Sequence, residues 1–398
     1  MSSILIKNVR VVDKNQDGVK DVLILNDRIE KVDTLIEFDA DRVIDATGLI
    51  LMPGFVDTHV HFREPGFEYK EDIETGSWSA INGGYTYVNL MANTKPICDN
   101  IETLEYVRKR ARELDIVGIN QCISITKGLM GQEFVDFDSL DDNTFVLSDD
   151  GKDLLSNHMM YQACKLAAEK NKLIMVHAED SEISPYDYRA AEDLITLRDT
   201  YLSGVTGCHI HMSHVSTEGS IEAIKNAKVK GYNVTCEVTP HHISLYDNSY
   251  RVNPPIRTEA DVNAIIDAIK EGVVDCVATD HAPHSQEDKQ KGAPGLVGLE
   301  TAFSVCNTYL VKKGHINYSK LSEIMSFNAC NILRLKERGL IKAGYYADLA
   351  LVDVDKEYVV DSSKFKSKSN NTPFDAKKLV GEIIMTIRNG KVMKDDNR

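Results

Sequence analysis

No apolar run in this 398-residue chain approaches the ~18 residues needed to span a membrane. The first residues, MSSILIKNVRVVDKNQDG, lack the basic start, apolar block and small-residue cleavage site of a secretory leader, so a cytoplasmic location is expected. Positive charge is scarce. Lys and Arg number 46 against 61 Asp and Glu, a net charge of −15 spread along the chain. That balance argues against nucleic acid and anionic membranes as partners. It leaves room for an anionic small molecule, because a few local Arg and His residues can reverse the sign inside a pocket. The eight cysteines, Cys98, Cys122, Cys164, Cys208, Cys236, Cys276, Cys306 and Cys330, form no CxxC pair. Buried reduced thiols are expected rather than disulfides or a thiolate metal site. Internal repeats are absent. The one low-complexity stretch, SSKFKSKSNN (362–371), reads as an exposed loop.

A hydrophobic content of 42% suits a large buried core, and the length suits one large domain plus a small one. Residues 1–50 read as short strands (ILIKNVRVVD, KDVLILNDRIEKV, RVIDA) rich in Val and Ile. Residues 343–398 have the same texture, with a turn at Asn389-Gly390. Both ends are therefore expected to build one small β-sandwich domain. Residues 51–342 alternate strand and helix. Eight strand candidates occur at 53–61, 85–91, 116–124, 144–149, 172–178, 208–214, 232–238 and 274–280. Helical patterns lie at 100–114, 156–169, 187–202, 216–230 and 259–271. The fold class expected is α/β, with a (β/α)8 barrel as the catalytic domain.

In such a barrel the active site lies at the C-terminal ends of the strands. Strand one ends in His59-Val-His61, strand four in Asp149-Asp150, strand five in His177, strand six in His214 and strand eight in Asp280. Alternation along a strand turns His59 and His61 the same way. Each of these residues alone is more often a satisfied polar group than a ligand. Five strands ending together in ligands for a borderline metal such as Zn²⁺ point to a metal centre. His209 and His211 alternate opposite to His214 and are expected to face the helices. His158, His241, His242, His281 and His315 have no clear role, although His241 and His242 end strand seven.

Longer motifs narrow this reading. Gly54-Phe-Val-Asp57-Thr-His59-Val-His61-Phe-Arg63-Glu64-Pro65-Gly66 resembles the opening signature of dihydroorotases. Ala278-Thr279-Asp280-His281-Ala282-Pro283-His284 followed by Lys289 resembles their second signature. Met91-Ala-Asn93-Thr94, Ser148-Asp-Asp150-Gly151, His214-Val-Ser-Thr217, Asn253-Pro-Pro255, Gly298-Leu-Glu300-Thr301 and Asn371-Thr372-Pro373-Phe374 follow the same family's order. HxH alone is common to the amidohydrolase superfamily. HFREPG with TDHAPH is more specific and is similar to the type I bacterial branch.

The resemblance implies reversible hydrolysis of (S)-dihydroorotate to N-carbamoyl-L-aspartate in pyrimidine biosynthesis. It implies His59, His61, Asp150, His177, His214 and Asp280 as ligands of one or two Zn²⁺ ions. Asp280 would also be the catalytic base and acid. Arg63, Asn93, Asn253, His284, Pro294 and Gly295 would bind the substrate. A guanidinium suits its carboxylate, and Arg63 follows two residues after His61. The partner expected is a small molecule, and the family admits a homodimer. Asp150 stands where many amidohydrolases carry a carboxylated lysine, which leaves the metal count open and Lys152 as a weaker alternative. The segment between His177 and His214 is shorter than is usual in the family. The loop at 285–297 reads as a mobile lid. A hydantoinase, dihydropyrimidinase or allantoinase, or a non-catalytic scaffold, are the competing readings.

Overall fold

The computed structural model describes residues 2–396. The chain opens with β1 (Ser3–Asp13), β2 (Gln16–Leu25), β3 (Arg28–Asp33), β4 (Arg42–Asp45) and β5 (Ile50–Pro53). The run KDVLILNDRIEKV is a hairpin rather than one strand. Asn26 takes φ 54 and turns β2 into its antiparallel partner β3, a conformation Asn tolerates better than most residues.

Eight strands then line a barrel: β6 (Phe55–Val60), β7 (Tyr85–Leu90), β8 (Gly118–Gln121), β9 (Val146–Leu147), β10 (Leu173–Val176), β11 (His209–Met212), β12 (Val234–Val238) and β13 (Cys276–Val277). Each falls inside its expected range, and neighbours pair in parallel. Single bridges, Ile123 to Leu147 and Val60 to His281, join the two arcs into a ring. Asp57 reinforces that closure, accepting from the amide and hydroxyl of Thr279 on the far arc.

The helices outside the barrel include α1 (Ile73–Asn82), α2 (Ile101–Leu114), α3 (Asn157–Glu169), α4 (Tyr188–Thr206), α5 (Glu218–Val229), α6 (Pro240–Ser244) and α7 (Glu259–Glu271). Asn100, Ser156, Asp187, Thr217 and Thr258 cap α2, α3, α4, α5 and α7 by accepting from backbone amides. Helix α1 was not expected, because IETGSWSAIN is rich in Gly, Ser and Thr. It is held by a capping box between Asp72 and Thr75 and by burial of Ile73, Ala80 and Ile81. His241 and His242 lie on α6 rather than at the end of β12.

The chain returns through β14 (Leu349–Val359), β15 (Lys378–Arg388) and β16 (Lys391–Asp395). These join the first five strands in one sheet, ordered β16-β15-β14-β5-β1-β2-β3, with β4 beside β1. Its core includes Ile6, Val11, Ile24, Leu349, Leu351 and Met385. Ile383 and Val352 pack instead with the barrel core, and Thr386 donates to Ile81 O, so the sheet is locked to the barrel.

The polar stretch at 362–371 is not a free loop. Ser367 and Ser369 are buried, and the segment lies across the barrel mouth as a strap. Its polar side chains face carboxylates and carbonyls of the 68–72 turn, which is why a hydrophilic sequence can be covered. All eight cysteines are free and buried. Among the described residues no helix is long and apolar enough to cross a membrane.

Candidate active site

The C-terminal ends of the barrel strands bring six expected residues together. Nε2 of His59 lies 3.3 Å from Oδ1 of Asp150. The same oxygen lies 3.5 Å from His177 Nδ1 and 3.8 Å from His214 Nε2. Asp150 Oδ2 is 3.7 Å from His61 Nε2. Asp280 Oδ1 lies 3.2 Å from His61 Nε2 and 3.9 Å from His59 Nε2. Sharp turns at the strand ends aim these groups inward: φ is 35 at His214 and 48 at Asp280.

The donor set fits a metal. Two groups of three, His59, His61 and Asp150, and Asp150, His177 and His214, have ligand atoms within 4.8 Å of one another. Asp150 belongs to both. His59 Nε2 and Asp150 Oδ1 are buried, and neither has a hydrogen-bond partner of acceptable geometry. Two orphaned donor atoms face to face in a buried cluster are what a divalent ion would satisfy.

The outer nitrogens of the candidate ligand rings His59, His61 and His177 are engaged, which fixes the ones that face inward. His59 Nδ1 donates to Glu237 at 3.0 Å, and His61 Nδ1 donates to Asn93 Oδ1 at 2.9 Å. His177 Nε2 donates to Glu179 at 3.1 Å. Burial opposes charge throughout the cluster; at His61 it prevails and lowers the pKa, whereas at Asp280, His177 and Asp150 the neighbouring charges outweigh it. Asp280 is lowered to about 2 by His61, His59 and His214. His177 is raised to about 10 by Asp150 and Glu179. Asp150 is held well below the usual carboxylate range by His59, His177 and His214.

A cavity of about 200 Å³ opens onto this cluster, lined among others by Arg63, Asn93, Asn253, His284, Pro294 and Gly295. All six expected substrate-binding residues therefore share one wall system. Arg63 sits just beyond β6 with φ 64, and its Nε donates to Pro283 O. Its Nη2 lies 3.3 Å from His284 Nε2, while Lys70 Nζ lies 3.4 Å from Nδ1 of the same ring. Burial and the cations Arg63, Lys70 and Lys289 push His284 down to about 3, so the ring is neutral. Gly295 takes φ 132, and a Cβ there would meet Ala282 at 2.8 Å, so the loop needs glycine.

The pattern of the amidohydrolase family matches residues 50–393. The "Dihydroorotase" of Clostridium botulinum (strain Eklund 17B / Type B) is 47% identical over 393 residues, covering 98% of each chain. The chain belongs to the dihydroorotase family. Another member, from Bacillus subtilis (strain 168), is 38% identical over 425 residues, covering 100% of this chain and 99% of its own. Among solved structures, an L-hydantoinase from Arthrobacter aurescens superposes with a TM-score of 0.92 at 25% identity, covering 100% of this chain and 97% of its own. A dihydropyrimidinase from Brevibacillus agri, at TM-score 0.90 and 21% identity, shares the fold. The family is metal-dependent, and the buried His and Asp cluster is this chain's candidate metal centre.

One expectation about a histidine needs correction. His211 does not face the helices. It is fully buried, and its Nε2 donates to Glu237 at 3.0 Å, beneath the cluster. Counting faces back from His214 fails because His214 has left extended geometry. Asn93 and Asn253 hydrogen-bond to carboxylates of the cluster and its surroundings as well as lining the cavity. Asn93 Nδ2 donates to Asp150 at 3.0 Å, and Asn253 Nδ2 donates to Glu179 at 2.8 Å. Glu237 and Glu179 were missed. Glu237 sits inside β12, where a search of strand ends does not look. Its one sequence signal is a carboxylate in an otherwise apolar or neutral strand, VTCEV. Lys152 is exposed.

Proposed function

We propose that the chain catalyses the reversible hydrolysis of (S)-dihydroorotate to N-carbamoyl-L-aspartate, with two Zn²⁺ ions held by His59, His61, Asp150, His177, His214 and Asp280. The observation that carries this reading is the cationic corner beside the metal donors. Arg63 and Lys70 both point at His284. A neutral imidazole carries one N–H and cannot accept from both. A carboxylate seated against Arg63 and His284 resolves that conflict, since each can then donate to it. A neutral cyclic imide offers nothing in its place, which disfavours hydantoinase-like substrates despite the shared fold.

The cavity, about 200 Å³, is smaller than the ~300–1,000 Å³ of drug-sized sites and suits a single small ring. Arg63 and His284 hold the carboxylate and so set the face of the ring presented to the cluster. Asn253, tied to Glu179, lines the same cavity. A bound divalent ion supplies positive charge that acidifies water and polarises the amide carbonyl. Asp280, a carboxylate at neutral pH, accepts the proton of the attacking water. It returns that proton to the ring nitrogen as the C–N bond breaks. Run backwards, the same carboxylate receives the proton of the closing nitrogen. The ligand set of four imidazoles and two carboxylates suits Zn²⁺.

The test is a metal count per chain followed by parallel assays on dihydroorotate, hydantoin, dihydrouracil and allantoin. Preference for dihydroorotate is expected. Preference for any of the other three overturns the assignment.

A further inference from the structure

The motif Asn371-Thr372-Pro373-Phe374 has no part in the chemistry above, and it lies in the strap. We infer that Asn371 is a positioning residue for the substrate-binding corner, tying the main chain of His284 to that of Gly295 through one carboxamide. The inference rests on the reading of Arg63 and His284 as the carboxylate subsite.

Both ends of the carboxamide are engaged. The amide of His284 donates to Asn371 Oδ1 at 3.1 Å. Asn371 Nδ2 donates to Gly295 O at 3.1 Å. The backbone joins in, since Val297 N donates to Asn371 O at 2.9 Å. One residue, 76 positions from Gly295 and 87 from His284, thus sets the separation of the two walls. Gly295 O also accepts from Lys289 Nζ at 2.9 Å, and the same ammonium binds Arg251 O and Ala293 O. Lys289 folds the 285–297 loop on itself, and Asn371 fixes the folded loop to His284.

A tie can position only if it is itself fixed, and Asn371 is anchored on both sides. Upstream, Ser367 donates to Glu71, Lys368 N donates to Glu71 Oε1 at 3.0 Å, and Ser369 Oγ donates to Lys70 O at 2.7 Å. Downstream, Phe374 is buried in a small cluster with Val305, Val360 and Leu379. Two residues separate the buried ring from Asn371, which leaves little slack. The residue types of the motif follow from this arrangement. Phe374 anchors, Thr372 Oγ1 accepts from Phe374 N at 3.3 Å, and Asn371 reaches the site with one acceptor and one donor.

The test compares Asn371→Ala, Asn371→Asp and Lys368→Ala with the wild type, as metal-loaded enzyme. The Lys368 side chain binds Asp72 and Glu68 O, away from the cavity, and its removal leaves the strap's anchors through Ser367, Ser369 and the Lys368 amide in place. Asn371→Ala is expected to raise KM for dihydroorotate about tenfold while kcat stays within about twofold, the split produced by lost binding rather than lost chemistry. Metal content is expected to be unchanged. Asn371→Asp keeps the acceptor for His284 N and loses the donor to Gly295 O, so it is expected to fall between. Lys368→Ala is expected to keep the wild-type KM. An unchanged KM in Asn371→Ala, an equal rise in Lys368→Ala, or a loss confined to kcat overturns the role. If Asn371→Ala does not fold, Asn371→Asp decides, and a wild-type KM in that variant overturns it. A wild type that does not turn over dihydroorotate sinks the functional reading itself, which separates the two failures.

Discussion

Glu237 Oε1 accepts Nδ1–H of His59 at 3.0 Å, and this turns Nε2 of the same ring toward Asp150 Oδ1, 3.3 Å away. The carboxylate is buried completely, yet it is held well below its usual range, because His211 and His59 outweigh the cost of burial. Thr58 Oγ1 donates to it as well. An outer carboxylate of this kind fixes the tautomer of a ligand imidazole and raises its basicity. Glu237→Gln keeps the shape and removes the charge. Metal affinity is expected to fall about 10- to 100-fold, read by competition with a chromogenic chelator. An unchanged affinity would show that Glu237 only fills space.

Asp150 is common to the two groups of candidate ligands at the barrel mouth, whereas His177 belongs to one. His177→Ala is therefore expected to keep one ion per chain, while Asp150→Ala loses affinity at both sites. Equilibrium dialysis with elemental analysis measures this. A wild type saturating at one ion would remove the two-site reading. Chelation should also lower Tm, since an ion at 100 times its Kd stabilises by about 2.7 kcal/mol.

Asp280→Asn should leave the fold intact and lower kcat at least ~100-fold, the smaller end of what a positioned acid–base contributes. Circular dichroism and Tm report the fold. Near-normal turnover in this variant would take the proton-transfer role away from Asp280.

Arg63→Ala should weaken dihydroorotate binding by about 1.5–3 kcal/mol, the worth of a hydrogen bond to a charged group. Dihydrouracil, which has no carboxylate, should lose far less. Equal losses on both substrates would point to a structural role, for instance through the Pro283 carbonyl that Arg63 also holds.

Stability should fall as acid is added through the histidine range, and His242 is one cause. The buried ring donates from Nε2 to Pro254 O at 3.1 Å and accepts from Thr239 Oγ1 at Nδ1, 2.8 Å away. Burial lowers its pKa from 6.5 to about 4. The unfolded chain therefore takes up a proton before the folded one does. Stability present above pH 6.5 is lost as pH falls from 6.5 to about 4. The loss is about 3 kcal/mol for this one group. Denaturant titrations across that window should be shallower for His242→Gln. Parallel curves for variant and wild type would exclude His242 as a source.

The sequence by itself determined the barrel, the sheet built from both ends of the chain, and which His and Asp residues gather at the barrel mouth. It could do so because those features depend on local order: strand alternation, apolar runs bounded by turns, and the rule that barrel sites gather at strand ends. His59, His61, Asp150, His177, His214 and Asp280 each end a strand, so their meeting was legible before any distance was known. The tertiary structure decided what lies between and behind them. Glu237 sits mid-strand, and its importance depends on His59 and His211, 178 and 26 residues away. The face of His211 could not be counted, because positive φ at His214 breaks the alternation that counting assumes. The polar run at 362–371 looked like a solvent loop, since composition records hydrophilicity and not the carboxylates waiting across space. Asn371 meets His284 and Gly295 only because the returning chain crosses the barrel mouth. Local patterns are written in neighbouring residues, whereas such ties exist only once distant segments have packed.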